Sequence, residues 1–166
     1  MWAMDNGCFT DTYPGDDGYM ATLSKYEDHK DRCLFVCVPD VVGDANATLA
    51  NWPRMAPRIK QAGWPVALVL QDGMTPDRVP WDDVDWVFVG GSTEFKLGPE
   101  AEALILAAQE RGVKVHVGRV NSRKRFKKFA ELGCDTADGT FIAFAPAQNL
   151  PQVLSWMADP VEMRLI

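Results

Sequence analysis

Cysteine and histidine are scarce in this 166-residue chain, which has four of the first and two of the second. Cys8, Cys33, Cys37 and Cys134 are too few and too scattered for a disulfide scaffold, and none forms a C-x-x-C pair, so reduced thiols are expected. Long apolar runs are also lacking. Runs such as Val66-Ala67-Leu68-Val69-Leu70 fall far short of the roughly 18 residues a membrane span needs. The opening Met-Trp-Ala-Met-Asp has neither a basic n-region nor an apolar h-region, so no secretory signal is read and the cytoplasm is the expected compartment. No internal repeat, linker or low-complexity stretch interrupts the chain, and its length favours one domain over residues 1–166. An apolar share of 47% with 24% charged residues supports an ordinary packed core and argues against disorder.

Basic charge is in deficit, with 17 basic residues against 23 acidic ones, a net −6 that excludes a generally basic nucleic-acid coat. The distribution is uneven. Residues 119–128 hold six basic side chains and no acidic one, so the rest of the chain sets eleven basic residues against 23 acidic, or −12. An acidic body with one basic segment can still meet a polyanion locally.

Short β-rich runs alternate with amphipathic stretches. Strands are expected at Trp2–Met4, Leu34–Val38, Val66–Leu70, Trp86–Val89, Val113–Val117 and Cys134–Ala137. Helices are expected at Gly18–His29, Ala45–Ala62, Pro99–Arg111, Ser122–Leu132 and Leu150–Met157. Gly63, Gly112 and Gly133 stand where left-handed residues end helices. Pro53 and Pro57 predict a late start or a break in the second helix. Six such steps imply a parallel sheet, in an incomplete or truncated (β/α) barrel of about six strands. An open six-stranded sheet is the competing fold, and the strand at the very start of the chain suggests missing upstream elements.

In either architecture the site lies at the carboxyl ends of the strands, and every strand here ends in a polar or glycine-rich signature. These are Asp5-Asn6-Gly7-Cys8-Phe9, Pro39-Asp40, Gln71-Asp72-Gly73, Gly90-Gly91, Gly118-Arg119 and Asp135-Thr136-Ala137-Asp138. Three carboxylates, Asp5, Asp40 and Asp138, without a histidine or cysteine nucleophile pattern, suit glycosyl transfer. One carboxylate attacks the anomeric carbon and another manages the leaving group's proton. Asp40 and Gln71 offer an acceptor and an amide to read a heterocycle edge, and Gly90-Gly91 permits close approach of a main-chain N–H. Asp135 competes with Asp138, and Asp72 with Gln71. His116, alternating with Val115 and Val117, reads as a hydrogen-bonded strand residue. Cys33 and Cys37 are expected on one strand face as core residues, and Trp52, Trp64, Trp81 and Trp86 as packing.

The ordered series of strand-end motifs, with Val89-Gly90-Gly91 and Gly133-Cys134-Asp135-Thr136-Ala137-Asp138 among them, resembles the tRNA-guanine transglycosylase superfamily over residues 2 to about 145. The likeness is greatest to the short phage-type enzymes that insert 7-deazaguanines into DNA. The resemblance implies a pentosyltransferase that replaces guanine in nucleic acid with a 7-deazaguanine such as preQ0. It implies Asp138 as nucleophile on the sugar C1′ and Asp5 as general acid/base. Asp40 and Gln71 would read the purine edge, and Gly91, beside Gly90, would donate to the purine carbonyl. Phe9 and Val117 would flank the base. The family's structural zinc site has no counterpart, since residues 141–166 contain neither cysteine nor histidine. No metal and no cofactor is therefore expected, and DNA is favoured over tRNA as acceptor. The partners implied are nucleic acid and a guanine or 7-deazaguanine base, with no membrane and with room for a homo-oligomer; a phage-encoded chain would act in the host cytoplasm.

The basic segment is read separately. Asn121 or Ser122 suits an N-cap, and Phe126, Phe129 and Ala130 give an apolar face. Arg123, Lys124 and Arg125 then crowd the first turn, where the helix dipole disfavours cations unless an anion binds there. With Arg119 they form the expected nucleic-acid contact. Two other readings remain: a non-catalytic homologue or accessory subunit that binds a deazapurine or nucleic acid, and an N-glycosidase with water as acceptor.

Overall fold

The computed structural model describes residues 1–158; the last eight residues of the expected 1–166 domain lie outside the described residues. Six parallel strands form one sheet: β1 (Trp2–Met4), β2 (Cys33–Cys37), β3 (Val66–Leu70), β4 (Trp86–Val89), β5 (Lys114–Val117) and β6 (Thr136–Ala137). Their spatial order is their chain order, β1 to β6. A doubly wound sheet reverses direction at a switch point and this one never does, so the winding is that of a barrel. The sheet curls into a half-barrel with flanking helices, an incomplete α/β barrel. Among the described residues no helix is long and apolar enough to cross a membrane.

The helices are α1 (Gly15–Ser24), α2 (Ala45–Gln61), α3 (Thr93–Leu97), α4 (Pro99–Glu110), α5 (Arg123–Glu131), α6 (Phe141–Phe144) and α7 (Pro146–Ala158). The first starts three residues earlier than expected, with Asp16 and Asp17 in its first turn, where the helix dipole favours them. The β3–β4 connection carries two 3-10 turns, Pro76–Arg78 and Trp81–Asp83, instead of an α-helix. Helix α2 continues through Pro53 and Pro57, against expectation. Both prolines lie on its exposed face, so the carbonyls deprived of a partner N–H face water while Trp52, Met55, Ala56 and Ile59 keep the buried stripe intact.

Strand alternation divides the core in two. Val36, Val38, Leu68, Leu70, Val87, Val89, Val115 and Val117 pack with helix residues such as Met55, Ile59, Leu104 and Ile105. On the opposite, concave face Phe35, Cys37, Ala67 and Val69 cluster with Trp86 and Phe88. Cys33 and Cys37 do not share a face. Register runs from Trp2↔Cys33 to Met4↔Val36, which puts an extra residue in β2 and reverses the alternation, so Cys33 packs with the helix layer. The helices return to the sheet as the glycines predict. After α2, Gly63 at φ 78° lets its own N–H reach the Lys60 carbonyl and the Trp64 N–H reach that of Ile59. Gly112 and Gly133 repeat this double closure after α4 and α5.

Candidate active site

Because every strand is parallel, all six carboxyl ends open on the same rim, and a cleft of about 90 Å³ lies there on the concave side. It is lined by Asp5, Phe9, Asp40, Gln71, Gly90, Gly91, Arg119 and Asp138, eight of the residues singled out from the sequence, together with Asn6, Cys37, Val42, Val69, Phe88 and Gly118. Val117 is not among them. It is fully buried on the helix side, because side chains alternate and the pocket face of β5 belongs to His116 and Gly118. The apolar wall on that side is Phe88, whose ring a Cβ at Gly118 would meet at 2.7 Å.

The floor is a closed hydrogen-bond network. Asn6 donates through Nδ2 to the Val38 carbonyl and to Asp40 Oδ1 at 2.7 Å. Gln71 donates through Nε2 to Asp40 Oδ2 at 2.5 Å, while its Oε1 accepts the Gly43 N–H. Asp40 and Gln71, 9% and 2% exposed, are thus fixed in orientation. Burial pushes the Asp40 carboxyl above its ordinary range, and the two amide donors only partly counter it. Asp72, the rival of Gln71, turns away: its carboxylate accepts both the backbone N–H and the hydroxyl of Ser92. That grip holds the Gly90-Gly91 turn. Gly91 has φ 66°, and a Cβ there would strike the Phe95 ring and Asp72 at 2.6 and 2.7 Å. At Gly90 a Cβ would meet Val69 at 2.7 Å.

Asp5 and Asp138 face the cleft from the two edge strands. Asp5 is exposed and accepts the Gly7 N–H at 3.1 Å, which turns the chain sharply after β1. Asp138, with 51% of its side chain open, accepts the Arg119 N–H through Oδ1, and its Oδ2 lies 3.6 Å from His116 Nε2. Burial acts to raise the Asp138 carboxyl, but His116, the Arg119 N–H and the charge of Lys96 outweigh it and hold the carboxyl below its ordinary range. Lys96, carried on α3, is 2% exposed and donates to the Gly118 carbonyl. Burial and the charges of Arg119 and Arg125 push it down to about 8, while Asp138 acts the other way. The site therefore separates its carboxyls by environment, keeping Asp138 ionised and making ionisation harder at Asp40.

Arg119 stands in the left-handed region at φ 60°, and its guanidinium folds back over the cleft. It donates to the Gly91 carbonyl and stacks 4.6 Å from the centre of the Phe9 ring, which is itself 57% exposed. Arg123, Lys124 and Arg125 do not line the cleft. Ser122, not Asn121, caps α5 by accepting the Arg125 N–H at 3.3 Å; Asn121 instead accepts the Phe141 N–H. Arg123 and Lys124 are exposed on the first turn, whereas Arg125 is half-buried and donates to the Arg119 carbonyl. Among the described residues no group of three or more His, Cys, Asp or Glu side chains is placed to hold a metal ion.

Asn6, Phe88 and Lys96 escaped the sequence reading as site residues; His116 is the hydrogen-bonded strand residue expected, 2.8 Å from Thr136 Oγ1, but its place beside Asp138 was not foreseen. Asn6 carried a signal, standing beside Asp5 at a strand end. The contribution of Phe88 needed the register of β4 against β5, and that of Lys96 needed the five-residue helix α3. No protein-family model matches this chain, and no curated protein matches it.

Proposed function

We propose that the chain is a base-exchanging glycosyltransferase of the tRNA-guanine transglycosylase type, which removes guanine from nucleic acid and installs a 7-deazaguanine such as preQ0. The observation that carries this reading is the convergence of Asp5, Asp40, Gln71, Gly91 and Asp138, from five different strand ends, on one cleft. Asp138, held ionised, attacks C1′ of the target nucleotide as the bond to guanine breaks, and a glycosyl ester forms. Asp5 gives a proton to the departing guanine and takes one from the incoming base, whose nitrogen then displaces Asp138 from C1′. Asp40 accepts from the purine N–H groups and Gln71 reads the same edge. The backbone at Gly90-Gly91 faces the purine carbonyl, and Phe9 offers a stacking surface. A base that stacks on Phe9 displaces the Arg119 guanidinium, which is then available to the acceptor's phosphates.

DNA is the acceptor we favour, and tRNA is the alternative. The decisive assay incubates the protein with radiolabelled guanine or preQ0 and either duplex DNA or tRNA. Label entering DNA supports the reading; release of guanine without incorporation would mark an N-glycosidase.

The exposed pair Arg123 and Lys124 supplies sequence-independent phosphate contacts at the start of α5. Replacing both by alanine is expected to weaken binding about equally across duplex sequences. It should also flatten the slope of log K against log salt by up to roughly 0.9 for each phosphate no longer neutralised. Fluorescence anisotropy across a salt series reads both; an unchanged slope would leave the pair as a solvated helix face.

A further inference from the structure

His116 and Thr136 are paired neighbours on β5 and β6, and Asp138 lies two residues beyond Thr136. This register puts an imidazole directly beneath the carboxylate assigned the nucleophilic role. The ring is 7% exposed and held between Phe35 and Phe88, with centroids 5.1 and 4.6 Å away. Its two nitrogens face different partners. Nδ1 lies 2.8 Å from Thr136 Oγ1, and Nε2 lies 3.6 Å from Asp138 Oδ2. With the Thr136 hydroxyl donating to Nδ1, Nε2 carries the N–H and aims it at the carboxylate. A closing movement of less than an ångström turns that approach into a hydrogen bond, as catalytic contacts commonly tighten when substrate binds.

We propose that Thr136, His116 and Asp138 form a relay in which His116 is a positioning residue: clamped by two aromatic rings and oriented by Thr136, it directs the Asp138 carboxylate toward C1′. The inference rests on the transglycosylase reading. Asp138 has two faces to satisfy. The Arg119 N–H holds Oδ1, His116 approaches Oδ2, and the outer lone pairs are left to attack the sugar. The other charged or titratable groups around it are Lys96 from α3, which favours its charge, the Arg119 guanidinium folded over the cleft, the buried Cys37 thiol from β2, and Asp5 and Asp40 across the cleft.

The test compares wild type with His116→Phe, His116→Gln and Thr136→Val. Phenylalanine keeps a ring in the aromatic clamp but offers no nitrogen, whereas glutamine restores an N–H donor on a shorter frame. The readouts are the carboxyl titration of Asp138 by carbon-13 NMR, the acid limb of kcat, and KM for the base. In His116→Phe the carboxyl titration and the acid limb are expected to move up together by about one pH unit, because the ionised carboxylate loses a donor. At neutral pH kcat is expected to fall roughly 10- to 100-fold with KM for the base unchanged. His116→Gln should recover most of this loss, and Thr136→Val should shift both readouts in the same direction by less. An active wild type whose titration and kcat are both unaltered by His116→Phe would overturn the inference alone. A wild type that exchanges no base with any acceptor would overturn the transglycosylase reading, and the inference with it.

Discussion

Asp138→Asn is expected to reduce base exchange to background, a loss of more than about 10⁴-fold in single-turnover rate, while the fold is kept. The amide oxygen can still accept the Arg119 N–H that the carboxylate accepts now, but it is no nucleophile toward C1′. Asp135, the neighbouring carboxylate, is the proper control. It precedes β6, where its two oxygens take the Lys114 ammonium at 2.7 Å and the Val115 N–H at 2.9 Å. Both partners lie at the start of β5, at the opposite end of the strands from the cleft. Asp135→Asn is therefore expected to leave exchange nearly intact and to cost about 1 kcal/mol of stability through the weakened pair. Incorporation of radiolabelled guanine by the two variants checks this. Loss in Asp135→Asn with retention in Asp138→Asn would move the nucleophile three residues upstream.

Asp5→Asn is expected to slow exchange by about 10² to 10⁴-fold without abolishing it, the range supplied by a positioned acid or base. Its carboxylate is exposed and accepts the Gly7 N–H, a contact an asparagine oxygen reproduces. The floor of the cleft, built by Asn6, Asp40 and Gln71, does not depend on it. Guanine affinity, measured by equilibrium dialysis, should therefore stay within a few-fold of wild type while the exchange rate falls. If affinity and rate fell together, Asp5 would belong to base binding and not to proton transfer.

Much of this architecture was legible because it is written in local chemistry. Short apolar runs marked β3 and β4 residue for residue, and Gly63, Gly112 and Gly133 marked helix ends that only a left-handed residue closes so compactly. Carboxylates and amides just after apolar runs placed most of the cleft, since parallel strands deliver their carboxyl ends to one rim. The misses on the strands share a different cause, which is register. Val117 and His116 are adjacent, so the wall and the nucleophile's neighbour were separated only by which face of β5 turned inward. One extra residue in β2 sent Cys33 and Cys37 to opposite sides. Pro53 and Pro57 were misleading because their effect depends on exposure, and water satisfies on one face what a core could not. The basic helix was placed correctly, but Arg125 is committed to the Arg119 carbonyl and serves the loop instead of facing outward.

The central claim is that a carboxylate of this protein bonds covalently to the sugar. The direct measurement is mass spectrometry of the denatured protein after incubation with a short guanine-containing duplex, with and without added 7-deazaguanine. The account predicts a denaturant-stable protein–nucleic acid adduct mapped to Asp138, discharged by the added base and missing in Asp138→Asn. An adduct mapped elsewhere would contradict the assignment. No adduct and no exchange with DNA or tRNA would contradict catalysis itself, leaving a cleft that binds a purine without transferring it.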